Sequence, residues 1–270
     1  MTTKITFWGV RGSIACASPD YLEFGGNTVC IEADFGTRTV VLDAGTGIRF
    51  LSKRMKEQNV KAADLLISHT HWDHICGFPF FEQIFDKDFT LDVYGGTPEG
   101  RTVRQALHAE MSPPFFPVAL HQAAASIRFH DLAEKESFAL DDGNVRVSTA
   151  PLNHPNGATG YRLDGNGVSI AYISDTEHPC DEGVLRLVRD CDLMIYDATY
   201  TDEEYTTRVG WGHSTPGEAL KIGKAANVRK IAFFHHSPDH TDAVLTAIER
   251  DIRTENPDAF FAREGMTVVL

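Results

Sequence analysis

The sequence predicts an α/β domain in which two packed, mixed β-sheets are covered by outer helices. Ten short apolar runs have the composition of strands, and they occur at both ends of the chain as well as in its middle. Five stretches with helical character are distributed among them instead of being collected in one region. No linker-like, low-complexity or single-charge segment divides the 270 residues, 42% of which are hydrophobic. One domain over residues 1–270 is therefore expected.

The expected elements follow the alternation of apolar runs and turn residues along the chain. Strands are expected near residues 3–9, 28–34, 38–43, 63–68, 89–94, 144–151, 167–174, 192–196, 229–235 and 266–270. Helices are expected near residues 46–58, 98–111, 181–190, 215–226 and 241–255. The helix at 215–226 has the clearest start. Thr215 can cap it, Pro216 suits its first turn, and Glu218 can complete a capping box.

Three glycine-containing segments lie between these elements, at residues 9–13, 25–28 and 43–47. None of them has the spacing of a phosphate-binding P-loop or of a dinucleotide-binding loop. We interpret all three as turns between strands, because glycine is the residue that tight turns most often require.

The charge balance limits the partners that the protein can bind. Acidic residues outnumber basic ones by 38 to 25, which gives a net charge of −13, and there is no Lys/Arg cluster. A protein that grips long nucleic acid usually needs a basic surface to neutralise phosphates, so no such partner is expected. Bound metal ions would still supply local positive charge, which is compatible with a small anionic substrate.

The cysteines and the hydropathy of the chain bear on its compartment. No signal peptide is apparent and no apolar run reaches membrane-spanning length, so no membrane partner is expected. The cysteines are odd in number and have no paired spacing, which suits a reducing environment and predicts a cytoplasmic protein. They are Cys16, Cys30, Cys76, Cys180 and Cys191.

Residues 69–74 read His-Thr-His-Trp-Asp-His and carry the strongest chemical signal in the chain. Alternate side chains of an extended segment point the same way, so His69, His71 and Asp73 are expected to line one face of a strand end. His74 follows where the chain can turn. Imidazole nitrogens and carboxylate oxygens suit zinc and other mid-row divalent ions. Four such groups are too many for one catalytic ion that keeps an open position, so two adjacent ions are predicted.

Further ligand candidates follow downstream, each at the end of a strand-like apolar run. His154 comes after the run at 145–152, and Asp175 ends the run at 168–174. The run at 230–234 ends at His235, with His236 adjacent and His240 close. Strand phase alone cannot choose among these three histidines. Rigid strands can present such residues to a common cleft.

The pattern H-x-H-x-D-H after a strand resembles the signature of the metallo-β-lactamase superfamily. The resemblance implies an αββα sandwich with metal ions at one edge of the two sheets, most naturally two zinc ions, with manganese and iron also suited to these ligands. The superfamily pattern of His-x-Ser after a hydrophobic strand matches His235-His236-Ser237 and favours His235. Carried over, it places His69, His71 and His154 on one ion, Asp73, His74 and His235 on the other, and Asp175 between both. In the superfamily the turn that begins at Asp43 packs under the metals, which implies that Asp43 orients a ligand histidine.

A second motif resembles the ribonuclease Z and phosphodiesterase branch of this superfamily. Residues 210–215 read Gly-Trp-Gly-His-Ser-Thr, and the resemblance implies that His213 lies near the metals and assists the reaction. Residues 195–200 resemble the His-Glu-Ala-Thr segment of that branch, with Tyr196 and Asp197 in place of its His and Glu. Asp197 has two possible roles: it can hydrogen-bond His213, or it can satisfy a turn.

One feature of ribonuclease Z enzymes is absent, because no segment resembles the long arm with which they clamp transfer RNA. Only twenty residues separate His154 from Asp175, and these are expected to form a turn and two short strands. Together with the acidic charge, this argues against processing of transfer RNA. Analogy with the same branch implies a homodimer.

These residues predict a metal-dependent phosphodiesterase acting on a small substrate such as a cyclic nucleotide or another cyclic phosphate. The expected nucleophile is a hydroxide shared by the metals, Asp73 would ligate and orient it, and His213 would be the general acid. One alternative is hydrolysis of a lactone, thioester or β-lactam, and another is a metal-binding sensor without turnover. In the proline-rich loop at 111–118, Phe115 or Phe116 could stack on a base, although an anchoring role in the core is favoured.

Overall fold

A computed structural model describes residues 2–97, 100–134 and 136–270 of the protein. Its strands are β1 Lys4–Gly9, β2 Cys30–Asp34, β3 Thr39–Leu42, β4 Ala62–Ile67, β5 Thr90–Gly96, β6 Ser126–Leu132, β7 Ser137–Leu140, β8 Val145–Leu152, β9 Ala158–Gly165, β10 Val168–Ile173, β11 Leu193–Asp197, β12 Ile231–Phe234, β13 Ala259–Phe261 and β14 Thr267–Val269. Its α-helices are α1 Ile48–Glu57, α2 Trp72–Ile75, α3 Val103–Glu110, α4 Glu182–Val188, α5 Asp202–Tyr205, α6 Pro216–Ala225 and α7 Asp242–Glu255. No helix in these ranges is long and apolar enough to cross a membrane.

The strands form two mixed sheets of seven strands each. The first sheet has the order β14-β1-β2-β3-β4-β5-β6, and the second has the order β13-β12-β11-β10-β9-β8-β7. In the first sheet the strands from β14 to β3 are antiparallel and those from β3 to β6 are parallel. In the second sheet the strands from β7 to β10 are antiparallel and those from β10 to β13 are parallel. The last strand of the chain thus returns to the edge of the first sheet.

Three buried apolar clusters hold the layers together. The largest contains side chains from both sheets, such as Phe7 and Tyr172, and it fills the space between them. A second cluster packs α4, α6 and α7 on the outer face of the second sheet, and a third packs α1 and α3 on the outer face of the first. The expected αββα sandwich is confirmed, because each sheet buries one face against the other sheet and one against helices.

The ten expected strands and five expected helices are present, and β9 is the further short strand expected between His154 and Asp175. Three more strands appear that the pattern did not predict. These are β6, β7 and β13, and each lies at an edge of its sheet. An edge strand is only partly covered, so polar residues alternate through β6 and β7, while β13 has only three residues. The helix expected at 98–111 is shorter, Val103–Glu110, and residues 98 and 99 lie outside the described ranges.

The start of α6 corrects one detail of the sequence interpretation. Thr215 is the N-cap, and its side chain accepts a hydrogen bond from the Glu218 amide at 3.1 Å, as expected. The Glu218 carboxylate does not complete a capping box; it lies 3.3 Å from the Lys221 ammonium group instead. The capped helix start still fixes the position of the segment that precedes it, which contains His213.

The topology brings several strand ends together at one edge of the sandwich. Strands β8, β10, β11 and β12 run in the same direction, so their carboxyl ends share one edge of the second sheet. The segments that follow β8, β10 and β12 contain His154, Asp175 and His235, and Asp197 is the last residue of β11. The carboxyl end of β4 adds residues 69–74 from the first sheet. This edge therefore holds all the candidate ligands.

Candidate metal centre

The local structure of residues 69–74 differs from the extended segment that was expected. Strand β4 ends at Ile67, and His69 and His71 lie in the loop that follows it. His71 is the N-cap of the short helix α2, which contains Asp73 and His74. The alternation of a strand therefore does not align these side chains. The tight turn into α2 directs them inward, and Asp73 and His74 are both buried.

A first group of candidate ligands combines this loop with the segment after β8. One side-chain nitrogen each from His69, His71 and His154 lies within 4.8 Å of the others. His154 Nε2 lies 3.0 Å from His71 Nδ1. The Nδ1 atom of His154 lies 2.7 Å from the Gly212 carbonyl oxygen and is therefore the protonated nitrogen of the neutral ring. Its Nε2 lone pair is then free for a metal ion.

A second group of candidate ligands is buried beside the first. Ligand atoms of Asp73, His74, Asp175 and His235 lie within 4.8 Å of one another. His235 Nε2 lies 3.1 Å from Asp73 Oδ2, and His74 Nε2 lies 3.4 Å from the same oxygen. Both acidic and both imidazole side chains are buried, which is costly unless a cation or hydrogen bonds compensate for the lost water.

The Asp175 carboxylate lies between the two groups. Its Oδ1 is 3.2 Å from His74 Nε2, and its Oδ2 is 3.3 Å from His235 Nε2. The same Oδ2 lies 3.7 Å from both His69 Nε2 and His154 Nε2. Burial alone would raise the pKa of Asp175, but the surrounding histidines, His235 first, hold that pKa well below its ordinary range. Asp175 is therefore an anionic group within reach of both ligand sets.

Two buried nitrogen atoms without hydrogen-bond partners indicate that these residues fit metal ions. His69 Nε2 and His74 Nε2 are both buried without a hydrogen-bond partner, although each faces the carboxylates. Burial keeps the pKa of His69 well below its ordinary value, so its ring is neutral with a lone pair available. For His74, burial opposes charge, but nearby carboxylates, Asp175 first, raise its pKa well above the ordinary value. The site thus requires positive charge, and its nitrogen and oxygen donors fit divalent metal ions.

The outer nitrogen atoms of the ligand histidines have their own partners. Asp43 Oδ2 lies 2.8 Å from His74 Nδ1, as the resemblance implied, and it also accepts a hydrogen bond from the Tyr172 hydroxyl at 2.6 Å. His69 Nδ1 lies 3.1 Å from Ser68 Oγ, and His235 Nδ1 lies 2.9 Å from Thr199 Oγ1. Such partners fix the orientation and tautomer of each ring before a metal binds.

The loop between β1 and β2 takes part in the site, although the sequence analysis interpreted residues 9–13 as a simple turn. The Ser13 amide donates a hydrogen bond to Asp73 Oδ2 at 2.7 Å, and Ser13 has a left-handed φ of 63°. A Cβ atom on Gly12 would lie 2.3 Å from the His235 ring. Glycine is therefore required at position 12, where the loop packs directly on a ligand.

His213 lies beside the ligands and is paired with Asp197. His213 Nδ1 lies 2.9 Å from Asp197 Oδ2, and its ring stacks on His235 with 4.9 Å between centroids. Asp197 fulfils both of its expected roles, because it also accepts hydrogen bonds from the Thr199 amide and hydroxyl. Burial alone would lower the pKa of His213, but Asp197 and the other carboxylates raise it to about 9. A protonated His213 has Nε2–H as its remaining donor.

An open cleft of about 430 Å³ gives access to this centre, and Trp72 forms part of its wall. Trp72 is 80% exposed, although both of its neighbours are candidate ligands. Phe115 and Phe116 were the residues considered from the sequence for contact with a base, and Trp72 was not predicted. The available signal for Trp72 was its position inside the motif at residues 69–74. Phe116 packs against Phe80, with 5.7 Å between centroids, and anchors its loop as favoured. The described residues that line the cleft are Ser13, Thr70, His71, Trp72, Asp73, Asp175, His213 and His235.

The structure places His235 in the ligand groups and directs its two neighbours elsewhere. His235 has a left-handed φ of 61°, so the alternation of β12 does not continue through it. His236 Nε2 donates to the Ala262 carbonyl at 2.8 Å, and His240 Nε2 lies 3.0 Å from the Glu204 carboxylate. Burial lowers the pKa of His236 to about 3, which makes it a neutral core residue.

Comparisons with known proteins agree with this arrangement. A family model described as a beta-lactamase superfamily domain matches residues 38–236, a range that includes every candidate metal ligand. The ribonuclease Z of Haloferax volcanii is 24% identical over 312 aligned positions, which cover 98% of this chain and 94% of that protein.

Two solved structures share the fold over nearly their whole length. The metallo-beta-lactamase fold protein YhfI from Bacillus subtilis has a TM-score of 0.75 and 17% identity, with complete coverage of both chains. A diphosphatase from the PhnP family has a TM-score of 0.72 and 16% identity, covering 98% of this chain and 97% of that one. At such low identities these likenesses show the fold alone.

Proposed function

The chain belongs to the beta-lactamase superfamily, a family of metal-dependent hydrolases, and from this premise we propose that it hydrolyses a small phosphodiester. The observation that carries the proposal is the His213–Asp197 pair beside the ligand groups, at 2.9 Å between Nδ1 and Oδ2. An imidazole held by a carboxylate can deliver a proton to a poor leaving group such as an alkoxide. Hydrolysis of a phosphodiester with an alkoxide leaving group is accelerated by such a proton donor, whereas a site that only binds metal has no use for one.

We propose that the ligand groups hold two divalent ions, zinc in the first place, with manganese or iron as alternatives. Asp175 would be shared between the ions, because its two oxygens face both groups. When bound, such a pair of ions lowers the pKa of a water molecule and stabilises negative charge on phosphoryl oxygens. One ion would be held by His69, His71 and His154, and the other by Asp73, His74 and His235.

Three side chains would take part in the reaction: Asp73 at the attacking oxygen, His213 at the leaving oxygen, and Asp197 as the partner of His213. A water molecule loses one proton to the solvent and attacks phosphorus as hydroxide, and the bond between phosphorus and the leaving oxygen breaks on the opposite side. Asp73 orients the attacking water with an oxygen that is itself fixed by the Ser13 amide at 2.7 Å. His213 gives its Nε2 proton to the leaving alkoxide, while Asp197 holds Nδ1 and favours the charged ring.

The volume of the cleft and the net charge of the protein support a small substrate, such as a cyclic nucleotide or a related cyclic phosphate. The cleft has a volume of about 430 Å³, and the net charge of −13 opposes binding of a long polyanion. The alignment with ribonuclease Z spans 312 positions, more than the 270 residues of this chain, so that relative contains segments that this chain lacks.

A substrate panel tests the proposal. Metal-reconstituted protein would be assayed with 2′,3′- and 3′,5′-cyclic nucleotides, bis(p-nitrophenyl) phosphate, a lactone, a thioester and a β-lactam. We expect turnover of the phosphodiesters and loss of that turnover after chelation of the metals. Activity confined to the lactone, thioester or lactam would reject phosphorus chemistry at this site. Tight metal binding without turnover of any compound would favour the sensor alternative.

Trp72 provides a prediction about which phosphodiesters bind. Stacking of a base on an aromatic side chain contributes about 1–3 kcal/mol. If the exposed indole forms such a contact, Trp72→Ala is expected to raise KM for a cyclic nucleotide by about 5- to 150-fold with little change in kcat. KM for ethylene phosphate, which has no aromatic ring, is expected to change little.

Two variants serve as controls for Trp72. Trp72→Phe keeps an aromatic face and is expected to retain most of the affinity for the nucleotide. Phe115→Ala removes another exposed aromatic residue, one that does not belong to the described lining of the cleft, and KM is expected to remain as in the wild type. An equal rise in KM for both substrates in Trp72→Ala would show that Trp72 supports the metal ligands instead.

A further inference from the structure

The Glu177 carboxylate holds the segment that connects α5 to His213. It is buried, with 6% of its surface exposed, and lies two residues after the shared ligand Asp175. Its Oε1 accepts hydrogen bonds from the Tyr205 hydroxyl at 2.8 Å and the Gly210 amide at 2.7 Å. Its Oε2 accepts a hydrogen bond from the Gly212 amide at 2.9 Å. A single carboxylate thus fixes two amides of the turn directly before His213.

Gly212 connects this carboxylate to a metal ligand. The Gly212 amide is bound to Glu177, and the Gly212 carbonyl oxygen lies 2.7 Å from His154 Nδ1. Gly212 has a left-handed φ of 85°, and a Cβ atom there would lie 2.4 Å from His154 Nδ1. The residue must therefore be glycine for the turn to pack on the imidazole. One residue thus joins the carboxylate to the ring of His154.

The consequence for His154 is a fixed tautomer. Because Nδ1–H donates to the Gly212 carbonyl, the lone pair of the neutral ring is on Nε2. That Nε2 lies 3.0 Å from His71 Nδ1 and 3.7 Å from Asp175 Oδ2, among the other ligand atoms. If the turn moved, the carbonyl would leave Nδ1 and the ring would lose both its orientation and its preferred tautomer.

Few other hydrogen bonds hold this turn within the described part of the chain. The Trp211 amide donates to the Arg208 carbonyl at 3.1 Å, and beyond His213 the Ser214 carbonyl accepts from the Tyr200 amide at 3.1 Å. Neither of these bonds involves the amide or the carbonyl of Gly212. The Gly212 amide is bound by Glu177, and the Gly212 carbonyl, which belongs to the next peptide unit, is bound by His154. Glu177 therefore fixes the place of Gly212 from which this carbonyl reaches the ring.

We infer that Glu177 is a positioning residue, which sets the metal-binding nitrogen of His154 and the place of His213 through the Gly210–Gly212 turn. The inference deepens the proposed function, and its part concerning His213 rests on that function. Its part concerning His154 rests only on metal binding, so it can be measured without turnover. Partners that orient ligand histidines typically change metal affinity or activity by about 10- to 100-fold.

The test uses the full chain with Glu177→Gln. The glutamine retains the shape of the side chain but directs an NH2 group at one of the two glycine amides. Zinc affinity would be measured at 25 °C by competition with a chromophoric chelator. We expect one of two binding steps to weaken by about 10- to 100-fold and the other to stay as in the wild type. With an alkyl phosphodiester, kcat is expected to fall while KM changes little.

The matched control is Tyr205→Phe, which removes one hydrogen bond to Glu177 but leaves both glycine amides bound. Its zinc affinity is expected to equal that of the wild type. Glu177→Asp provides a second test if the glutamine variant does not fold, because the shorter side chain cannot reach both amides. The inference is overturned if a folded Glu177 variant binds zinc in both steps as tightly as the wild type. A lower melting temperature with unchanged zinc affinity would assign Glu177 a structural role only and overturn it as well.

The two proposals fail in different ways. If the wild type hydrolyses no phosphodiester but Glu177→Gln weakens one zinc-binding step, the proposed function is wrong and the positioning of His154 by Glu177 is supported. If the wild type is active and both zinc affinities are unchanged in the variant, the proposed function holds and the positioning role is rejected.

Discussion

Replacing Asp175 with asparagine is expected to abolish most of the stabilisation that divalent metal gives the wild-type protein. The Asp175 oxygens lie 3.2–3.7 Å from histidine nitrogens of both ligand groups, so their charge contributes to both metal positions. A ligand that binds only the folded state stabilises that state by about 2.7 kcal/mol when its free concentration is about 100 times its Kd. In a chain of this size, such a gain raises Tm by roughly 5–10 °C.

The measurement is the difference in Tm with and without zinc, determined for each variant separately. Asp175→Asn is expected to lose most of this difference, and its metal content by mass spectrometry is expected to fall below that of the wild type. Asp164→Asn is the matched control, because Asp164 pairs with Arg162 on β9 and lies outside the ligand groups. If zinc raised the Tm of Asp175→Asn as much as that of the wild type, Asp175 would not be a ligand.

The interior of the fold was predictable from the sequence because fully buried strands and amphipathic helices have strong apolar patterns. Strands such as β4 and β10 bury nearly every residue, and their positions were predicted within two residues. The edge strands β6 and β7 were not predicted, because one side of an edge strand has no neighbour and its residues can remain polar. The edge strand β13 was not predicted because it has only three residues. The missing information was tertiary, since it concerns which strand lies next to which.

The identity of the candidate ligands could be predicted, but the way they are brought together could not. The spacing in residues 69–74 is informative whether the segment is a strand end or the loop and short helix that the structure shows. Strand phase was likewise uninformative at His235, because its left-handed backbone turns the side chain out of the alternation. The Ser13 amide donates to the distant Asp73 carboxylate, and the Glu177 carboxylate accepts from the distant Gly212 amide. A single sequence contains no signal for such contacts.

Replacing His213 with alanine is expected to reduce hydrolysis of a phosphodiester with an alkyl leaving group by about 10²–10⁴-fold, the usual contribution of a general acid. An alkoxide is a strong base and must be protonated as it leaves. A p-nitrophenolate leaving group is a weak base that needs little protonation. The loss of kcat in His213→Ala is therefore expected to be much smaller for bis(p-nitrophenyl) phosphate than for a cyclic nucleotide.

The loss of kcat for the cyclic nucleotide, compared with the loss for bis(p-nitrophenyl) phosphate, distinguishes proton donation from other roles of His213. The ring also stacks on His235 and lies 3.9 Å from Asp175, so its removal could disturb the metal ligands. A disturbed metal site would slow both substrates equally, because both depend on the same ions. His130→Ala is the matched control, since it removes another imidazole paired with a carboxylate, Asp92, at 2.8 Å on the distant strand β6. Equal losses for the two leaving groups in His213→Ala would reject the general-acid role, whereas a selective loss with the alkyl group would assign His213 to the leaving oxygen.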